Sequence, residues 1–228
     1  MHDSDRAEIR KLKPFRNMAS PGFDALMQAA YVQEFPAQLC LVSQGMRASF
    51  LHVLVEGRVE LFAEWNGQET TIDILKPVTS FILAACIRDG DHLMSARTLR
   101  ACRIVLIPAV DMRAAFRRDV EFAVDVTEEL ARGYRSMVRR TKNLKLRSSR
   151  ERLAAYLLAL SDELGGAAGF TLPHEKRLIA SYLGMTPESL SRCFKSLSRD
   201  GVHVAGARVT LTDRARLTAI CRPDPQID

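Results

Sequence analysis

The stretch Leu183-Gly-Met-Thr-Pro-Glu-Ser-Leu-Ser-Arg-Cys-Phe-Lys-Ser-Leu-Ser198 decides the fold. Gly184 stops a short helix predicted over residues 175–183, because glycine accepts the left-handed backbone of a tight turn. Leu178, Ile179, Tyr182 and Leu183 give that helix one apolar face. A second helix then starts. Thr186 is a good N-cap, Pro187 suits the first helical position, and Glu188 complements the positive helix start. At 100° per residue over about 187–198, Glu188, Ser191, Arg192, Lys195 and Arg199 fall on one face, and Leu190, Cys193, Phe194 and Leu197 on the other. A helix that enters the major groove of DNA needs such a division: one face packs on its own domain, the other offers donors and acceptors. Alone, the pattern also fits an ordinary surface helix with a Glu/Arg pair four residues apart.

The segments on either side of this stretch change that balance. Val202-His-Val204, Ala205-Gly206 and Arg208-Val-Thr-Leu211 read as a β-hairpin wing, with Arg208 placed for a phosphate. Upstream, residues 110–164 read as helical, with no proline and with Gly133 as the only glycine. Leu130, Tyr134, Met137, Thr141 and Leu144 recur in a 4-3-4-3 rhythm, which is expected to form a dimer seam. Ser148 and Ser149 interrupt this run and can cap a new helix over 150–164. Before it, residues 32–108 alternate short apolar runs with turns. Asn66-Gly67, between Val59-Glu-Leu-Phe62 and Thr70-Thr-Ile-Asp-Ile74, is a strong hairpin signal. Strands are expected at 39–42, 51–55, 59–62, 70–75 and 99–107, forming a β-roll or jelly roll. Residues 4–31 read as short helices broken at Pro14 and Pro21–Gly22.

Composition agrees with a folded chain of one or two domains. Of 228 residues, 47% are hydrophobic and 26% charged, which excludes a mainly disordered protein. The longest uncharged run, Phe35 to Met46, is too short to cross a bilayer, and the N-terminus lacks a signal-peptide pattern, so a cytoplasmic location is expected and no membrane partner. The net charge of +6 is uneven. Residues 1–112 hold 12 Lys+Arg against 13 Asp+Glu; residues 113–228 hold 21 against 14. The basic half is the one with the capped helix, which points to nucleic acid. Five cysteines and five histidines are dispersed, with no local spacing for a metal site.

With these segments in place, the chain resembles the CRP/FNR family of bacterial transcription regulators over nearly its full length. The most specific part is Lys176-Arg-Leu-Ile-Ala-Ser-Tyr-Leu-Gly-Met-Thr-Pro-Glu-Ser-Leu-Ser-Arg192, after Leu172-Pro. Glu151-Arg-Leu-Ala-Ala-Tyr-Leu-Leu-Ala-Leu160 is similar to the helix leading into the family's DNA-binding domain, and Phe50-Leu-His-Val-Leu-Val-Glu-Gly-Arg-Val-Glu-Leu61 to a strand–turn–strand of its β-roll. The resemblance implies an α+β fold: a β-roll sensor (1–110), a dimerisation helix and hinge (111–147) and a winged helix-turn-helix (148–228). It implies a homodimer on double-stranded DNA, no catalytic residues, and RNA polymerase as a further partner. Glu188, Ser191 and Arg192 match the pattern of the FNR and FixK branches, which implies palindromes of TTGA-like half-sites. Thr186, Lys195, Arg199 and Arg208 complete the expected DNA-contacting set.

The sensor departs from the family's cyclic-nucleotide pattern. Pro77-Val-Thr-Ser-Phe-Ile-Leu-Ala-Ala85 has no Gly-Glu pair, and Arg97-Thr98 falls a few residues late for the phosphate-binding Arg-Thr. Cyclic AMP is therefore not expected. No cysteine precedes Cys40, which argues against an iron–sulfur cluster. Haem is retained as a candidate effector. The nearby histidines are His52, expected in the strand core, and His92, expected to be solvated in a polar loop. Cys86 and Cys102 are candidate redox reporters. Two rivals stand beside this reading: a constitutive FixK-like regulator with no effector, and a cupin-like β-barrel enzyme with a basic tail.

Overall fold

The computed structural model describes residues 3–227. The chain divides into two compact units at the Tyr134–Arg135 step.

The first unit opens with α1 (Asp3–Lys11), α2 (Lys13–Arg16) and α3 (Ser20–Ala29). Pro14 and Pro21 lie in the first turns of α2 and α3, so they start these helices, where the missing N–H removes no helical bond. Strands β1 (Tyr31–Phe35), β2 (Cys40–Val42), β3 (Phe50–Glu56), β4 (Val59–Trp65), β5 (Gln68–Leu75) and β6 (Thr79–Phe81) follow. A short α4 (Leu83–Arg88), then β7 (Ser95–Thr98), β8 (Cys102–Pro108) and α5 (Ala109–Arg118) complete the roll. Two antiparallel sheets, ordered β1-β8-β3-β6 and β2-β7-β4-β5, enclose Leu54, Val59, Leu61, Phe81, Ala96, Cys102 and Ile104. Alternate residues of β3 and β8, among them Leu51, Val53, Val105 and Ile107, face outward onto Phe15, Leu26, Met112 and Phe122. The two central strands of the first sheet are therefore buried on both faces. At the Asn66-Gly67 turn both residues have positive φ, 50° and 71°, as a two-residue hairpin joining β4 to β5 requires.

The strand expected over 99–107 starts only at Cys102, as β8; Leu99–Ala101 is a break between it and β7, which lies in the other sheet. The break is set by a close crossing with the β3–β4 turn. A Cβ at Gly57 would lie 2.5 Å from the Ala101 carbonyl oxygen, and the Leu99 N–H donates to the Arg58 carbonyl. The helical run is also divided. Asp119 separates α5 from α6 (Val120–Leu146) by accepting from the Phe122 N–H at 3.0 Å and the Ala19 N–H at 2.9 Å. Ser148 then caps α7 (Ser149–Glu163) in a reciprocal capping box with Glu151.

The second unit holds the end of α6, then α7, β9 (Gly169–Thr171), α8 (Lys176–Tyr182) and α9 (Pro187–Leu197). A 3-10 turn (Ser198–Asp200), β10 (Val202–Ala205), β11 (Arg208–Leu211) and α10 (Arg214–Cys221) come next. The hairpin gains a third strand, in the order β10-β11-β9. Leu153, Leu157, Ile179, Leu190, Leu197, Val209 and Leu217 form its core. No helix among the described residues is long and apolar enough to cross a membrane.

Candidate nucleic-acid interface and sensor site

The turn Leu183–Thr186 joins α8 to α9, and Gly184 takes a φ of +62° there. The Thr186 hydroxyl accepts from the Ser189 N–H at 3.2 Å, closing the first turn of α9. Leu190, Phe194 and Leu197 are buried, whereas Glu188, Ser191, Arg192 and Lys195 are exposed. The helix thus presents a polar face about three turns long. The Glu188 carboxyl is held below the usual carboxylate range by its own backbone N–H, then by the Thr186 hydroxyl and the Arg192 charge. The Ser191 hydroxyl donates to the Pro187 carbonyl at 3.0 Å, leaving its lone pairs as acceptors. Among the described residues the Arg192 guanidinium donates only to the Ser189 hydroxyl, at 3.1 Å. Among the described residues no carboxylate lies within 4 Å of Arg192, Lys195, Arg199 or Arg208.

Arg199 does not share the α9 face. The α-helix ends at Leu197, and Arg199 lies on the tighter 3-10 turn. The cause is buried Asp200, whose carboxylate takes hydrogen bonds from Arg150 and Arg216, followed by Gly201 at a φ of +85°. Arg208 is exposed at the start of β11, the central strand of the wing, between Ala205 of β10 and Thr171 of β9.

The basic run 132–152 is largely engaged. Arg140 donates to the Tyr182 hydroxyl at 2.9 Å, Arg147 to the Arg222 carbonyl at 3.1 Å, and buried Arg152 to four main-chain carbonyls. Residue spacing carries no signal for these contacts, because their acceptors are mostly backbone atoms. On α6, Tyr134 is 72% exposed, and Met137, Thr141 and Leu144 are also exposed. Leu130 instead packs half-buried on the core of the first unit, and Leu144 reaches Gly184. A different exposed set keeps the same rhythm: Val120, Val124, Thr127, Ala131, Tyr134 and Val138. Its start borders a groove of about 350 Å³ lined by Phe116, Val120, Val124 and Thr127.

In the roll, Arg97 is bound by acids. Its Nε donates to Glu60 at 2.7 Å, its Nη1 pairs with Glu69 at 2.8 Å, and its guanidinium stacks 4.2 Å over Phe62. Glu60 is 2% exposed and also accepts from Thr71 at 2.6 Å. His52 is 6% exposed, its ring 5.1 Å from that of Phe81, and burial lowers its pKa to about 4. The expectation of a solvated His92 fails: it is 5% exposed. Its N–H donates to Met46 and its carbonyl accepts from Gly45, both at 2.8 Å, which draws the loop inward. The Nδ1 atoms of both histidines are buried without a hydrogen-bond partner. Burial pushes the Cys86 thiol up to about 12 and raises that of Cys102, so neither is a ready thiolate. Among the described residues no three His, Cys, Asp or Glu side chains gather into a metal-ligand set.

A β-roll followed by a long helix and a winged helix-turn-helix with a capped, polar-faced second helix defines a DNA-binding transcription regulator. Comparison with known proteins specifies which kind. Residues 151–220 match the Crp-like helix-turn-helix domain and residues 32–119 the cyclic nucleotide-binding domain. The nitrogen fixation regulation protein FixK of Bradyrhizobium diazoefficiens is 37% identical over 79 residues, a segment covering 32% of this chain and 33% of FixK. A solved structure from Silicibacter pomeroyi DSS-3, provisionally described as a cAMP-binding regulatory protein, is 30% identical, with 97% of this chain and 100% of that one covered and a TM-score of 0.62. FixK2 from Bradyrhizobium japonicum shares the fold, at 22% identity, 84% and 96% coverage and a TM-score of 0.71. The chain belongs to the CRP/FNR family of transcription regulators.

Proposed function

We propose that this regulator acts as a homodimer on palindromes of TTGA-like half-sites, under the control of a small signal sensed in the β-roll. The observation that carries the DNA reading is the exposed α9 face, where among the described residues Arg192 and Lys195 have no carboxylate within 4 Å. Arg192 pairs with guanine O6 and N7, Glu188 accepts from a cytosine amino group, and Ser191 reaches a neighbouring edge. Lys195, Arg199 and Arg208 grip phosphates, and Thr186 fixes the helix start at the groove. Two copies pair through the exposed α6 stripe from Val120 to Val138, continued by Met137 and Thr141. RNA polymerase is the partner through which binding changes transcription.

The residues of the roll do not fit a cyclic-nucleotide phosphate. Arg97 already bonds two carboxylates, and a phosphate brought there would meet Glu60 as a like charge. The loop and α4 segment 77–88 supplies no acid for a ribose. The orphaned imidazole nitrogens of His52 and His92 support a different ligand, and both rings are the groups that would hold a haem iron or another electron-pair acceptor. Such a ligand supplies a gas- or redox-responsive centre when bound.

The test is anisotropy titration of a TTGA palindrome and a scrambled duplex at one fixed salt concentration, repeated with haem. Specific binding at least 10³-fold tighter is expected, with a Soret band that His52→Ala or His92→Ala removes. Equal affinity for both duplexes overturns the DNA reading; a haem spectrum unchanged by either substitution overturns the assignment of the histidines.

A further inference from the structure

We propose that Arg152 is a positioning residue for DNA reading: it clasps the turn before α9 to the end of α6. The inference rests on the reading of α9 as the base-contacting helix. Arg152 is 8% exposed, near the start of α7, and all five of its N–H bonds point at acceptors. Nε donates to the Leu183 carbonyl at 2.8 Å, and Nη2 to the Gly184 carbonyl and the Ser149 hydroxyl, each at 3.2 Å. Nη1 donates to the carbonyls of Arg147 at 2.6 Å and Leu144 at 3.3 Å. None of these acceptors is a carboxylate.

Four are carbonyls at the C-terminal ends of two helices, α6 and α8, where unsatisfied oxygens carry partial negative charge. One planar cation therefore caps two helix ends at once. A lysine cannot, because its three donors radiate from one atom and lack the fork. Desolvation lowers the pKa of Arg152, yet a guanidinium keeps its proton in a protein, so the group stays charged and depends on these carbonyls.

Neighbouring contacts point the same way. Arg140 of α6 donates to the Tyr182 hydroxyl of α8 at 2.9 Å, with its guanidinium 4.8 Å from that ring's centre. The Leu144 side chain lies where a Cβ on Gly184 would approach to 2.7 Å. Thr186, the N-cap of α9, is two residues beyond Gly184. The end of α6 and the turn are thus one body, and a displacement of that helix end carries the start of α9 with it. The basic stretch before α7 acts through helix ends more than through DNA phosphates.

The experiment compares full-length wild type with Arg152→Lys, Arg140→Gln and Leu217→Ala, the last a core truncation remote in sequence from the clasp. Each is measured for affinity to the TTGA palindrome, affinity to a scrambled duplex, thermal midpoint, and amide hydrogen exchange at residues 183–186. For Arg152→Lys we expect at least a tenfold fall in the ratio of specific to non-specific affinity and at least tenfold faster exchange in the turn. Arg140→Gln should move both in the same direction by less. Leu217→Ala should lower the midpoint and leave the affinity ratio within twofold. The proposal is overturned if Arg152→Lys keeps wild-type exchange in the turn, or if Leu217→Ala lowers the ratio as much as Arg152→Lys does. Should wild type itself prefer neither duplex, the DNA reading fails, and turn exchange alone decides whether the clasp exists.

Discussion

The ion-paired arginines of the β-roll and the exposed arginines of α9 and the wing differ in what faces them. In the roll, Arg97 bonds Glu60 and Glu69, Arg103 bonds Asp5 and Glu56, and Arg47 and Arg113 share Asp89. In the second unit, Arg192 and Arg208 have no carboxylate within 4 Å among the described residues. A cation therefore marks an anion-binding site only where its own chain has not supplied the anion. By that measure Arg97 in the roll is closed, and Arg192 on the exposed α9 face is open. Arg152 is a third kind, satisfied by carbonyl dipoles and bound to no acid.

Substitutions in each unit put this contrast at risk. The largest effect is expected from Val124→Glu with Tyr134→Glu on the exposed α6 stripe. The pair should yield a monomer by sedimentation and reduce palindrome binding by more than 100-fold, since each half-site then binds alone. Unchanged sedimentation would place the seam elsewhere. Next is pH. His52 titrates near 4 in the folded state against about 6.5 unfolded, so the unfolded chain takes up the proton first. The contribution is fully present above about 6.5 and is lost as pH falls toward 4, on the order of 3 kcal/mol. Denaturant unfolding of His52→Phe should show a flatter acid limb than wild type. Arg208→Ala should weaken all duplexes alike, by about 1 kcal/mol, and reduce the salt slope by about one. The smallest expected effect is that of cyclic AMP, which should leave DNA affinity and thermal midpoint unchanged because Arg97 is occupied; a shift in either would show that Glu60 yields to phosphate.

Much of this molecule is legible in its residues alone. The Asn66-Gly67 hairpin, the Thr186 cap and the split faces of α9 depend on neighbours in sequence, and each forms as the local rules require. The illegible parts depend on distant backbone. β1 is an edge strand with little apolar alternation, and it exists through pairing with β8, some seventy residues away. His92 is buried because its main chain bonds the loop at Gly45 and Met46. The helix break at Asp119 has no proline or glycine, only a side chain that caps α6 and holds Ala19. On α6, rhythm alone does not report burial: Leu130 keeps the spacing but is drawn onto its own core. Arg152 reads as one more basic residue, because carbonyl acceptors leave no mark in composition.

The DNA reading stands on Arg192 as an exposed donor with no carboxylate within 4 Å among the described residues, proposed above to read a base. The direct measurement is a base-by-base substitution of one TTGA half-site, titrated with wild type and with Arg192→Ala at the same salt. Arg192→Ala should lose about 1–3 kcal/mol on the intact site and become indifferent at a single base pair. Equal weakening on every duplex, with wild-type preference retained at each position, would contradict it.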